Sequence, residues 1–295
     1  MAAVGMTDVL ELMSSGNTLE ALRHLYALGD SEPLARLNRA LYAAARDEND
    51  ALLMEERERL LVLLTRASGE ARAVILYNLG CLALAEDEVV EARLYFRQAL
   101  AAWPEYLPAR HNLAHTCDLL AEEDEAVELY QQVLAAMPEM ALSRLNLALI
   151  DLELGRRESG LASLRQLLSE QPGNPSFTLH LCRAILATAN PSEAAEVPTL
   201  LGELNDWQRF PDLRECHAFA SYLLNELSEA EAAFRGLLDD DPNNQFARVG
   251  LMRILAGREA WQELSSHAEA LHAAAPTDQT AHLIQQLSDA GMIGE

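Results

Sequence analysis

Five prolines fix what this chain can fold into. Pro104, Pro138 and Pro172 lie 34 residues apart, and so do Pro242 and Pro276. The 70 residues from Pro172 to Pro242 are two such periods plus two. A fixed period of this length is the mark of a stacked array of supersecondary units. Each proline closes a helix, because its ring blocks helical continuation and disfavours helix just before it. Counting back from the prolines opens frames at Ala73, Leu107, Ala141, Pro211 and Gln245.

Within the frames the apolar pattern agrees. Position 7 is Leu79, Leu113, Leu147 and Leu251. Position 8 is small: Gly80, Ala114, Ala148 and Ala218. Position 20 is small again: Ala92, Ala126, Gly160 and Ala230. Position 24 is large: Phe96, Tyr130, Leu164 and Phe234. Position 27 is Ala99, Val133, Leu167, Leu237 and Leu271. Small residues at 8 and 20 let two helices approach closely, and the large residue at 24 fills the space beside them. Ala and Leu dominate the chain and lose little side-chain freedom in a helix, so two amphipathic helices per frame are expected.

The stretch "YNLG" at residues 77–80, followed by Ala92, Phe96, Ala99 and Pro104, resembles the tetratricopeptide repeat. Clear repeats cover residues 73–174 and 211–278. The family's aromatic at position 4 is replaced by Leu76, Arg110, Arg144, Arg214 and Arg248. The resemblance implies an all-α, right-handed α-solenoid of stacked helix-turn-helix repeats. It also implies a concave groove lined by positions 2, 5, 6, 9, 12 and 13 of the first helices.

The other segments depart from the period. Residues 175–210 hold one degenerate repeat. Pro198 stands where position 24 belongs and should break its second helix. The break reads as a local irregularity in the stack or as a hinge between two sub-arrays. Residues 1–72 read as two repeat-like pairs, 6–28 and 33–66. The second carries "RLNRAL" at 36–41, an echo of "RLNLAL" at 144–149. From Thr277, residues up to about 290 read as a final capping helix, which repeat arrays need to cover their last open face.

Asn78, Asn112 and Asn146 occupy position 6, and Asn38 joins them through the echo. Asn costs helix stability, by roughly 0.5 kcal/mol relative to Ala, so its recurrence asks for a use. A carboxamide both donates and accepts, which suits either a bound peptide backbone or a neighbouring helix. The resemblance supports the first, as a ladder binding peptide. Tyr77, His111, His115, Leu145 and Leu149 fall on the same face and complete the expected peptide-binding set.

His111, His115 and Asp118 share one helix face, but H-x-x-x-H alone is a weak metal signal, and no metal or cofactor is expected. No nucleophile–base pair, Gly-rich phosphate loop or Cys/His cluster is present, so no enzymatic activity is expected. The groove lacks the paired cations that the family uses to clamp a C-terminal carboxylate. Cys81, Cys117, Cys182 and Cys216 sit in helical segments without C-x-x-C spacing and read as buried thiols.

The formal net charge is −24, and all 22 basic residues are Arg. That balance disfavours nucleic acid or an anionic membrane as partner. The acid gathers in turns, at 86–88, 122–125 and 239–241, and serves solubility or attracts a basic partner. No apolar run reaches the length of a membrane span, and the first residues lack the basic start of a signal peptide. The cytoplasm is the expected compartment, and the absence of Lys fits GC-rich, bacterial coding. Together these features describe a non-catalytic scaffold or adaptor that binds an extended or helical segment of a neutral or basic protein. The alternative is a structural scaffold that self-assembles by end-to-end stacking.

Overall fold

A computed structural model describes residues 54, 57–58, 60–62 and 64–274. Asn38, Pro276, the N-terminal pair at 6–28, most of the pair at 33–66 and the expected capping helix lie outside these residues. The described residues contain α-helices and no strand. They follow as α1 Gly69–Ala85, α2 Val89–Ala102, α3 Leu107–Leu119, α4 Glu123–Ala136, α5 Ala141–Glu153 and α6 Arg157–Glu170. Then come α7 Pro175–Leu186, α8 Pro191–Ala194, α9 Val197–Gly202, a 3-10 turn at Trp207–Arg209, α10 Pro211–Leu223, α11 Leu227–Asp240, α12 Gln245–Gly257 and α13 Trp261–Ala274.

The chain divides into two compact units at Ser163/Leu164, inside α6. Each is a stack of antiparallel helical pairs, the arrangement of an α-solenoid. In the first unit α1 packs on α2 and α3 on α4, while α2 meets α3 and α4 meets α5. In the second, α10 packs on α11, which meets α12, and α12 meets α13. The first helices of successive pairs also touch, α3 with α5 and α10 with α12.

The frames read from the prolines coincide with the first residues of α3, α5, α10 and α12. Only α1 differs, starting four residues before Ala73, from an extended Ser68 and a left-handed Gly69 at φ +56°. Pro104, Pro138 and Pro242 each follow directly on the residue that ends a second helix, Trp103, Met137 and Asp241.

The close approach read at positions 8 and 20 is present. A Cβ on Gly80 would lie 2.6 Å from the Phe96 ring, and one on Gly160 would lie 2.8 Å from the Ala148 carbonyl oxygen. Phe96, Tyr130, Leu164 and Phe234, all at position 24, are fully buried.

The turns inside the pairs repeat just as regularly. Asp87, Ala121, Gly155 and Ala189 have positive φ at intervals of 34 residues, and after two extra residues Asn225 and Glu259 continue the series. The next backbone N–H bonds five residues back, as from Glu88 to Ala83, Glu122 to Cys117 and Glu226 to Ser221. This is the left-handed helix stop that satisfies orphan carbonyls. The degenerate repeat keeps the left-handed residue, Ala189 at φ +50°, and with it the first helix and turn.

What the degenerate repeat loses is its second helix. Asn190 caps α8 by accepting from the Ser192 N–H at 3.0 Å. The helix stops at Ala194 and resumes at Val197. Pro198 lies in the first turn of the new piece, where a missing N–H costs nothing. Asp206 then takes φ +56° ahead of the 3-10 turn.

The replaced aromatic at position 4 also has an explanation. The guanidinium groups of Arg110 and Arg248 reach back to the carbonyls of Pro104 and Pro242, at the ends of α2 and α11. A cation there faces the negative end of a helix. Other arginines bind acids of the following pair: Arg93 binds Glu122 at 2.5 Å, Arg97 binds Glu125 at 2.8 Å and Arg235 binds Glu263 at 2.7 Å. Part of the acid in the turns therefore joins repeats together.

Candidate functional site

The first helices of the first unit share one partly covered face. Positions 2, 9 and 12 are half-buried in all three repeats: Val74, Cys81 and Leu84 on α1, Pro108, His115 and Asp118 on α3, and Leu142, Leu149 and Leu152 on α5. The surface is apolar with isolated polar groups.

The Asn series divides on this face. Asn78 is 1% exposed and lies beneath it. Its Oδ1 is buried without a hydrogen-bond partner among the described residues. Asn112 is half-buried and donates to Cys81 Sγ at 3.4 Å, one repeat earlier. Asn146 is half-buried and donates to the Tyr130 hydroxyl at 2.7 Å. At Asn146, position 6 thus faces the residue at position 24 of the preceding repeat. The second unit repeats this, where a Cβ on Gly250 would meet the Phe234 ring at 2.4 Å, so glycine is required there. Asn112 and Asn146 bond between repeats and still present part of their surface to solvent.

Among the other expected residues, His111 and Leu145 are buried, while Tyr77, His115 and Leu149 are half-buried. His111 Nδ1 lies 2.8 Å from Ser143 Oγ, and its ring packs 5.5 Å from that of Tyr130. Burial first, and His115 second, push the His111 pKa down to about 4. Burial also lowers that of His115, whose Nδ1 is buried and unpartnered among the described residues. Tyr77 packs on Phe96 and Tyr106, with ring centroids 5.8 and 5.4 Å apart.

Three possible metal ligands converge elsewhere, Cys117, Glu122 and Glu125. They suit a metal poorly. Arg93 and Arg97 occupy the two carboxylates, and burial pushes the Cys117 thiol up to about 11, so it holds its proton. All four cysteines are free thiols, and burial raises each.

The second unit carries a feature the sequence reading passed over. Arg183, Leu186 and Ala187 of α7 and its end, Asp212, Glu215, Cys216 and Phe219 of α10, and Phe246 of α12 line an open notch of about 200 Å3. The rings of Phe219 and Phe246 stand edge to face, 6.0 Å apart. The signal was available, since Phe219 sits at position 9 and Phe246 at position 2 of their frames. Applying to these frames the positions used for the first three finds the notch.

A family profile for the tetratricopeptide repeat matches residues 83–139. The sequence matches no curated protein. Solved structures match over most of the chain. A chain of the APC/C hetero-tetramer Cut9–Hcn1 superposes with TM-score 0.70 at 15% identity, covering 95% of this chain and 54% of that one. This chain therefore spans about half the length of that relative. A tetratricopeptide repeat protein from Parabacteroides merdae gives TM-score 0.61 at 15% identity, with 88% and 99% covered. Yeast Tom70 gives 0.54 at 13% identity, with 97% and 81% covered. At these identities the likeness is one of fold. Among the described residues no helix is long and apolar enough to cross a membrane.

Proposed function

From the tetratricopeptide-repeat profile matched at residues 83–139 and the fold shared with such proteins, we propose that this chain is a non-catalytic scaffold binding an extended or helical segment of another protein. The segment lies along the face formed by the first helices. One observation carries this reading: positions 2, 9 and 12 stay half-buried in three successive repeats of the first unit. A packed core would bury them and a solvated face would expose them. A surface of apolar side chains with isolated amides and imidazoles provides area for burial and a few groups to fix register.

The partner is neutral or basic. The charge of −24 would repel an acidic one and speed encounter with a basic one. The relative in the Cut9–Hcn1 hetero-tetramer sits in an assembly of several chains, and use in an assembly is what we propose here. Asn112, Asn146, His115 and Leu149 are the contact residues we assign in the first unit. Asn78 supports the face from below.

The test is binding of a synthetic peptide library to the full chain and to His115→Ala/Leu149→Ala. Peptides selected by the parent chain should bind the double variant at least about tenfold more weakly, since two contacts of roughly 1 kcal/mol each are lost. Selected peptides that bind both proteins equally would refute the assignment.

A further inference from the structure

The notch of the second unit is built differently from the face of the first. One wall is aromatic, and Phe246 is 42% exposed, unusual for a Phe. Phe246 is held in place from behind by Phe234, with ring centroids 6.1 Å apart. Leu186 and Ala187 add an aliphatic part to the lining. Two carboxylates, of Asp212 and Glu215, also line the notch, and they are not equivalent. Asp212 is bound by Arg183 at 2.5 Å. Glu215 is half-buried and accepts a hydrogen bond from the Asn244 side chain at 2.8 Å, but no cation among the described residues binds it. A half-buried carboxylate in a notch lined by one exposed and one half-buried aromatic ring is the complement of a flat organic cation.

We propose that this notch takes an arginine side chain from the bound protein segment. The proposal rests on the reading that the first helices bind such a segment and names the group recognised. The guanidinium lies against the Phe219 and Phe246 rings and donates to the Glu215 carboxylate. Its aliphatic stem covers Leu186 and Ala187. Size agrees, since an apolar cavity of roughly 150 Å3 holds a benzene molecule, and the notch of about 200 Å3 holds one long side chain. Arginine is favoured over lysine because a planar, weakly hydrated cation can stack on a ring and pair with a carboxylate at once. The strongly acidic chain favours a cationic ligand over an acidic one in any case.

The test uses N-acetyl-arginine-N-methylamide and its citrulline counterpart, which keeps the shape and loses the charge. Both are titrated into the isotope-labelled full chain and followed by amide NMR shifts. The arginine probe should move signals of Ala187, Phe219 and Phe246, with the citrulline probe at least about tenfold weaker. Glu215→Gln keeps an acceptor for Asn244 and removes the charge. It should weaken the arginine probe about tenfold, the worth of one hydrogen bond to a charged group. Phe246→Ala alters an exposed ring and should weaken it several-fold, with the helical circular dichroism retained. Equal binding of the two probes, shifts centred elsewhere, or an unchanged Glu215→Gln would overturn the proposal. A library peptide that binds the first-helix face of the first unit while Glu215→Gln makes no difference leaves the scaffold reading standing and removes only the notch.

Discussion

Replacing Asn146 with Ala should destabilise the protein, although Ala is the better helix former. In α5 the substitution gains about 0.5 kcal/mol of helix propensity. Against this stands the Tyr130 hydroxyl on α4, which is fully buried and takes its 2.7 Å hydrogen bond from the Asn146 amide. Losing that donor costs about 1–3 kcal/mol, because a buried polar group left unsatisfied forfeits its hydration without return. The net loss should be about 1–2 kcal/mol. Tyr130→Phe should cost less, about 1 kcal/mol, since the half-buried Asn146 can turn to water. The double variant should then show a coupling of about 1 kcal/mol. Urea unfolding of the full chain measures the differences. Amide exchange in α4 and α5 localises them, which matters because repeat arrays can depart from two-state behaviour. An Asn146→Ala midpoint above that of the parent chain, as propensity alone dictates, would refute the reasoning and return the whole amide series to the ligand.

The pKa of His111 falls from 6.5 toward about 4 on folding, so the unfolded chain takes up the proton first as the pH drops. Stability from this residue is complete above about pH 6.5 and is lost on the way to pH 4. By pH 5 the loss is about 2 kcal/mol, and His111→Gln should remove that part of the acid sensitivity in unfolding curves at pH 7.5 and pH 5. Gly80→Ala should destabilise by about 1–2 kcal/mol, because its Cβ would press on the buried Phe96 ring. Ala121→Gly should stabilise by about 0.5–1 kcal/mol, because φ at Ala121 is +55° and disfavours a side chain. Both shifts are read from urea midpoints. Raising salt should slow association with a basic peptide in stopped-flow measurements while leaving dissociation nearly constant, since charges at the surface are screened over about 8 Å at physiological ionic strength.

Much of the fold was legible because proline and small residues act locally. A proline bars the helical turn that would precede it and is tolerated only in a first turn, and this placed the starts of α3, α5, α10 and α12 and the break between α8 and α9. Position 6 was not legible, because its role depends on which side chains the preceding repeat presents to it. Asn146 donates to the Tyr130 hydroxyl, at position 24 of the preceding repeat, whereas Asn112 donates to Cys81, at position 9 of the preceding repeat. The same letter in the same register therefore has two different partners. The notch in the second unit is a third case. It requires Phe246 to be held outward by Phe234, and a carboxylate whose neighbour supplies an amide in place of a cation.

Site-specific photo-crosslinking from the native source tests the central reading most directly. A crosslinker at Leu149 reports on the half-buried face of the first helices. One at Leu94, which is exposed on α2, reports on the outside of the same unit. The scaffold reading predicts protein adducts from position 149 that a selected library peptide competes away, and none from position 94. Adducts from position 94 alone, or from neither position, would contradict it.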